Sequence, residues 1–338
     1  MELSEILQRF PGISCAWLDE TGCVVTECHG LADRERRIPV DENTIFPAAS
    51  ISKFVTALCL MRLQEQHVIN IDAPVNPYLR TWKLRTPDGG ESAAAIRHLL
   101  CHTAGVLDGE DGFYGLRQSD PEIPLTDILE GRTAYNNRPV REEKAPGTAF
   151  EYSDAGYCVL QLLVEDVTGQ PFEAAAQALV FAPLGLSSAF FASRKNMDAF
   201  DRSHTLAAGY DGENLPLPGK YPCQPDLAAS ALWITPRELA TIAKAFLAAY
   251  HGSSTFLTAA SAQDIAAPAE RFPWTGLGVF RRGEDVLLSQ GWGENGQCML
   301  KMNLRTGAIA VVMTNRNPET DQAASGVEWL TDRHMQAM

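Results

Sequence analysis

The chain has 338 residues, 45% of them hydrophobic, enough to bury a large core in two lobes. A formal net charge of -14 with no run of clustered Lys and Arg excludes a nucleic-acid partner, because counterion release needs concentrated positive charge. No segment has the length and apolarity needed to span a bilayer, so no membrane partner is expected either.

The N-terminal run MELSEILQRF carries Glu2 and Glu5 and lacks an apolar stretch of signal-peptide length, which predicts a cytoplasmic location. Residues 13 to 30 hold two β-rich runs around Asp19-Glu20-Thr21-Gly22, the composition of a tight hairpin. From Ser52 to about Gln66 the residues Val55, Leu58, Cys59, Met61 and Leu63 recur at near-helical spacing, and Asn70-Ile71-Asp72-Ala73-Pro74 ends the element. A buried helix is predicted there.

The stretch from about 71 to 229 is rich in Pro, Gly and helical segments, clearest at 95–102, 156–168 and 172–182. The segment 206–227 reads as a long connection rather than a rim of the site. A helix follows at about 236–250, then β-type runs at 276–281, 284–290, 297–303 and 308–313, and a terminal helical segment. Strands at both ends with helices between them predict an α+β protein. One antiparallel sheet flanked by helices would occupy about 1–70 and 230–338, with an inserted helical lobe at about 71–229 and a cleft between.

Eight cysteines with no C-x-x-C pair fit free thiols in a reducing compartment better than a disulfide framework. Seven histidines without H-E-x-x-H or paired spacing give a zinc hydrolase little support, so no metal or cofactor is expected.

The first chemical constellation is Ser50-Ile51-Ser52-Lys53, where the buried helix begins. With 17 serines and 7 lysines, chance alone gives about a third of one S-x-x-K match, so the location carries more weight than the tetrapeptide. Residues three apart on a helix face each other, so the Ser50 hydroxyl and the Lys53 amine can share a proton. The positive helix end and desolvation by an apolar helix should both lower the lysine's pKa, making a general base beside a nucleophile. The bland alternative is a helix-capping Ser50 and a solvated Lys53, which the following Phe54 and Val55 weaken.

At this point a family resemblance enters. The run Thr44-Ile45-Phe46-Pro47-Ala48-Ala49-Ser50-Ile51-Ser52-Lys53-Phe54, continuing through Ile71-Asp72-Ala73-Pro74, resembles the first block of class C β-lactamases, D-alanyl-D-alanine carboxypeptidases and related family VIII esterases. Ile96-Arg97-His98-Leu99-Leu100-Cys101-His102-Thr103-Ala104-Gly105 is similar to a second block. A third is met by Pro146-Gly147-Thr148, Tyr152-Ser153-Asp154-Ala155-Gly156-Tyr157, Thr168-Gly169 and Pro183-Leu184-Gly185-Leu186. The resemblance covers about 40 to 315 and implies a β-lactamase/transpeptidase-like fold and a serine hydrolase that forms an acyl-enzyme at Ser50. It implies Tyr152 as the family's catalytic tyrosine and His102 as a structural brace.

Two departures bear on substrate. Tyr152-Ser153-Asp154 stands where the family has Tyr-x-Asn, replacing an amide that can donate with a carboxylate that can only accept when ionised. By resemblance that asparagine contacts the catalytic lysine, so an ionised Asp154 would raise Lys53 and oppose the two lowering effects. The family's third box, with its cation, falls on Ser289-Gln290-Gly291, followed by Trp292. By resemblance the oxyanion hole is the backbone N–H of Ser50 and of Trp292, and Asp154, Ser289, Gln290 and Gly291 contact substrate. A site without the third-box cation suits a neutral ester or amide, so a carboxylesterase-like hydrolase of small molecules is expected. The alternatives are a D-amino-acid-specific peptidase or amidase, a D-Ala carboxypeptidase or β-lactamase-like enzyme, and a catalytically silent relative that only binds a ligand.

Overall fold

The computed structural model describes residues 2–109, 112–114, 120 and 122–336. Its main sheet has seven antiparallel strands: β1 (Gly12–Leu18), β2 (Val24–Asp33), β3 (Ile38–Pro39), then from the C-terminal part β7 (Phe280–Arg282), β8 (Val286–Gly293), β9 (Gly296–Asn303) and β10 (Ile309–Thr314). The spatial order is β3-β2-β1-β10-β9-β8-β7. The first and last strands of the chain thus meet at the centre, with Cys15 opposite Val312 and Ala16 opposite Val311.

Both central strands are buried on both faces, which explains the near-continuous apolar run Ile309-Ala310-Val311-Val312-Met313. One face is covered by the terminal helices Leu3–Arg9 and Val327–Met335, whose Ile6, Val327 and Leu330 pack on Ile13, Cys15 and Val312. The other face receives the amphipathic helix Pro236–Tyr250, capped by Thr235 with Pro236 in its first turn. Beyond that face lies the helical region, and a single hydrophobic cluster runs from the sheet into it.

The helix Ser52–Glu65 lies inside this cluster, and every residue from Ser52 to Met61 is buried. It is a core helix rather than an amphipathic one, so its polar side chains need internal partners. Ser52 Oγ donates to the Ala49 carbonyl at 2.5 Å and accepts from the Leu232 N–H at 2.9 Å, while Thr56 donates to the Ala228 carbonyl at 2.8 Å. The Ser52 bonds tie the helix start to residues 49 and 232, and the Thr56 bond fastens it to the four-residue helix Leu227–Ser230.

Sequence periodicity does not reveal a second, three-stranded sheet, in which β6 (Leu232–Ile234) lies between β4 (Phe46–Ala49) and β5 (Phe190–Phe191). Strands of two to four residues are too short to show alternation. The β-type run at 276–281 is strand only from Phe280 onward. Before it, Gly278 has φ +70°, and a side chain there would sit 2.5 Å from the Lys53 carbonyl. The predicted helix at 172–182 divides into Phe172–Ala176 and a π-turn at Gln177–Phe181.

Candidate active site

Ser50 follows β4 directly and precedes the first turn of the Ser52–Glu65 helix, so it lies just outside the helix on which the spacing argument placed it. The residue before it, Ala49, has φ +44°, a conformation that costs a non-glycine residue about 1–3 kcal/mol and clusters at functional sites. This turn aims Ser50 into a cleft of about 820 Å³ bounded by Tyr152 and Asp154 on the helical side and by Gln290 and Trp292 on β8.

Lys53 is 2% exposed, and its ammonium donates to Ser50 Oγ at 3.2 Å and to the Ala229 carbonyl at 2.9 Å. Its nitrogen also lies 2.6 Å from Asp154 Oδ1 and 4.8 Å from the centre of the Tyr152 ring. Of the two opposing influences expected on Lys53, the raising one from Asp154 prevails over the lowering one. Burial does push the amine down, but the charge of Asp154, followed by Tyr152, outweighs it and holds Lys53 above the ordinary lysine range.

Tyr152 turns part of its ring to the cleft and is 40% exposed as a residue, yet its hydroxyl end lies among Lys53, Ser50 and Asp154. Burial and Asp154 raise the phenol, against the lowering effect of Lys53 and Ser50. The ring is held between His102, stacked at 4.4 Å, and Phe280 at 6.1 Å. His102 Nδ1 accepts the Ser153 N–H at 3.1 Å, and burial with the nearby Lys53 charge keeps this imidazole far below its usual range. A neutral, buried histidine whose Nδ1 is occupied by the backbone braces Tyr152, as the family block implies.

The helix Asp154–Thr168 supplies the next residues. Ser153 caps it by accepting the Gly156 N–H, and Gly169 ends it in the left-handed conformation. Asp154, its first residue, sits at the positive helix end and faces Lys53. Asp108, which carries no motif signal, accepts from Ser153 Oγ and from the N–H groups of Asp154 and Ala155, at 2.8 to 2.9 Å.

On the opposite wall, Gly291 is required by close approach. A Cβ there would lie 2.2 Å from the Ala48 carbonyl and 2.2 Å from Cys298 Sγ, so the β8 backbone runs against the segment that carries Ser50. Trp292 is half exposed beside Ser50, its indole N–H donating to Asn317 at 2.9 Å. Ser289 is buried and does not reach the open cleft. With Gln290, Ser50, Lys53, His102 and Tyr152 it lines a recess of about 10 Å³, room for about one water molecule.

Among the described residues, no other cation lining the cleft takes the place of the third-box one. No Lys or Arg lines the cleft among the described residues, whereas Asp154, Glu294, Asp321 and Glu328 do. The segment 206–227 is a rim after all, since its Pro222 and Gln224 line the cleft and its Asp226 lies buried behind it.

A model of the family described as Beta-lactamase matches residues 3–332, nearly the whole chain. The chain belongs to the Beta-lactamase family. Among curated members, Esterase EstB of Burkholderia gladioli is 36% identical over 197 residues, 56% of this chain and 50% of that protein. Teichoic acid D-alanine hydrolase of Staphylococcus aureus is 28% identical over 182 residues, 54% of this chain and 40% of that protein. The matched stretch thus spans half or less of these relatives' length.

Solved structures extend a likeness of fold to nearly the whole chain. The D-amino acid amidase from Ochrobactrum anthropi SV3 superposes with a TM-score of 0.79 at 22% identity, covering 99% of this chain and 95% of that one. A penicillin binding protein from Bacillus halodurans gives 0.74 at 22% identity, covering 98% and 99%. At that identity the likeness is one of fold, the α+β β-lactamase/transpeptidase-like architecture.

Proposed function

We propose that the protein is a serine hydrolase that cleaves a small neutral ester or amide through an acyl-enzyme on Ser50. The observation that carries this reading is the 3.2 Å hydrogen bond from a buried Lys53 ammonium to Ser50 Oγ, with Tyr152 closing the other side. Ser50 Oγ attacks the substrate carbonyl. Its proton passes into the pair formed by Lys53 and Tyr152, which returns it to the leaving oxygen or nitrogen.

Because Asp154 holds Lys53 as an ammonium and burial holds Tyr152 as a phenol, the pair must first give up one proton; the Lys53 charge eases that loss from the phenol, and the resulting Tyr152 phenolate accepts the proton of Ser50. The N–H groups of Ser50 and Trp292 form the oxyanion hole, a reading supported by the pressure of the Gly291 backbone on Ala48. Water then attacks the acyl-enzyme with the proton transfers reversed.

Substrate preference follows from charge. A cleft lined by no Lys or Arg among the described residues, whose Asp154 and Glu328 are already paired with Lys53, Arg282 and Lys301, offers an anionic substrate no free counter-charge, which favours neutral acyl groups over penicillins. Asp154, Gln290 and Gly291 border the reacting atoms, and Ser289 contributes from the recess. The eight free thiols support a reducing, cytoplasmic setting.

An active-site fluorophosphonate followed by intact-mass and peptide mapping tests the proposal. A single adduct on Ser50, lost in Ser50→Ala, is expected; no adduct, or one on another serine, overturns it.

A further inference from the structure

Three carboxylates gather around the start of the Asp154–Thr168 helix, and two of them have the partners an ionised group needs. Asp108 accepts three hydrogen bonds at the helix N-terminus, and Asp154, whose Oδ1 makes no hydrogen bond, is held by the Lys53 ammonium as an ion pair at 2.6 Å. Asp226 has neither arrangement. It is fully buried, one oxygen accepts the Tyr135 phenol proton at 2.6 Å, and Oδ2 has no hydrogen-bond partner.

The titratable groups that face Asp226 are Asp154 and Cys158 from the Asp154–Thr168 helix, Tyr135 from its loop, and Lys53 from the Ser52–Glu65 helix. Lys53 is the one cation among them, and Asp154 already occupies it. A buried carboxylate with an unsatisfied oxygen and a second carboxylate beside it is costly to ionise; a proton removes the charge and turns Oδ2 into a donor.

We propose that Asp226 carries a proton in the resting enzyme and acts as a positioning residue. Kept neutral, it leaves Asp154 as the single counter-charge of Lys53 and so sets how readily the Lys53 and Tyr152 pair takes the Ser50 proton. Its place in the chain fits this role, because Asp226 opens the short helix whose Ala229 carbonyl holds the Lys53 ammonium at 2.9 Å. Burial, followed by the Asp154 charge, pushes this carboxyl up to about 7. The positioning role rests on the reading of Ser50 as nucleophile, whereas the protonation state does not.

Asp226→Asn mimics the neutral acid in shape, and its melting temperature compared with wild type across pH tests the protonation state without any activity. A group raised on folding stabilises the wild type below the unfolded pKa and loses that contribution as pH climbs to the folded one. The melting temperature of the variant minus that of wild type should therefore grow between about pH 4 and 7 and level off above. A difference independent of pH overturns the proposal. If Asp226→Asn does not fold, Tyr135→Phe serves: losing the phenol donor should move the wild-type transition to higher pH, and an unmoved transition overturns the proposal.

The positioning role is read from kcat/KM on a neutral ester. In wild type, ionisation of Asp226 adds a second negative charge near Lys53 and spreads the rise of activity over a wide pH range. Asp226→Asn should make that rise steeper and shift it to lower pH, with activity at the low-pH end kept within about twofold. A uniform loss at all pH values, with the thermal result as expected, would leave Asp226 protonated but overturn its role in setting Lys53. Absence of a Ser50 adduct would instead defeat the nucleophile assignment and leave the thermal test standing.

Discussion

Lys53 and Asp154 meet at 2.6 Å beside the cleft, one from the central buried helix and the other from the first turn of the helix opposite. The ammonium is almost completely buried and the carboxylate side chain is 21% exposed, so their attraction is screened little. This contact, which an asparagine at 154 would weaken, decides the protonation state of the lysine beside Ser50.

The first expected outcome follows from that contact. Asp154→Asn removes the leading charge that raises Lys53, so the lysine pKa falls and the acidic limb of kcat/KM for a neutral ester moves to lower pH. A cationic substrate should lose ground relative to the neutral one, because its counter-charge is gone. Profiles for both substrates, measured for wild type and variant, check both parts; superimposable curves with unchanged preference would remove Asp154 from the site.

Ser50→Ala should abolish turnover while leaving stability within about 0.5 kcal/mol, the range for a surface substitution that breaks no buried network. Ser50 is half-buried and accepts its hydrogen bond from a lysine that has two other partners. Residual activity together with a chemical denaturation midpoint gives the answer.

Ser52→Ala should behave in the opposite way. Ser52 Oγ bridges the Ala49 carbonyl and the Leu232 N–H in a fully buried position, and its loss leaves those backbone groups unsatisfied, at a cost of about 1–3 kcal/mol. Urea unfolding should register the loss, and fluorophosphonate labelling of the folded fraction should persist.

Lys53→Ala and Tyr152→Phe should each lower kcat by orders of magnitude, and the double variant by far less than the product, since groups in one proton relay are strongly non-additive. The 4.8 Å approach of the Lys53 nitrogen to the Tyr152 ring makes them a single electrostatic unit. Losses that simply multiply in a double-mutant cycle would separate their roles.

Penicillins should be hydrolysed slowly beside short-chain esters. Their carboxylate meets the neutral Gln290 where a cation would serve, and a charge-assisted hydrogen bond is roughly twice as strong as a neutral one. Comparing kcat/KM for one penicillin and a series of esters is enough, and a penicillin value at or above the best ester refutes the charge argument.

Much of this protein is written locally. The hairpin around Asp19-Glu20-Thr21-Gly22, the helix from Ser52, the capped helix ending at Thr168-Gly169 and the late strands are legible because their signals lie within a few residues. Ser50 and Lys53 are three residues apart in sequence and in contact in space, and Tyr152 is legible through its block rather than through any property of a lone tyrosine.

What tertiary structure decided is charge. The effects local to Lys53, an apolar helix and a helix start, lower its amine, and the family resemblance implies only that an ionised Asp154 would oppose them; which influence wins is not legible in the sequence. The rise of Lys53 comes from Asp154, 101 positions away, through a contact that exists only when two helices face each other. Asp108, Tyr135 and Asp226 are invisible for the same reason, since each owes its role to partners 45 to 91 residues distant, brought together by burial. Hydrophobic periodicity records which face of an element is covered, but not which ionisable group is on the other side. Electrostatic interactions act through space at low dielectric, so the state of this site belongs to the fold.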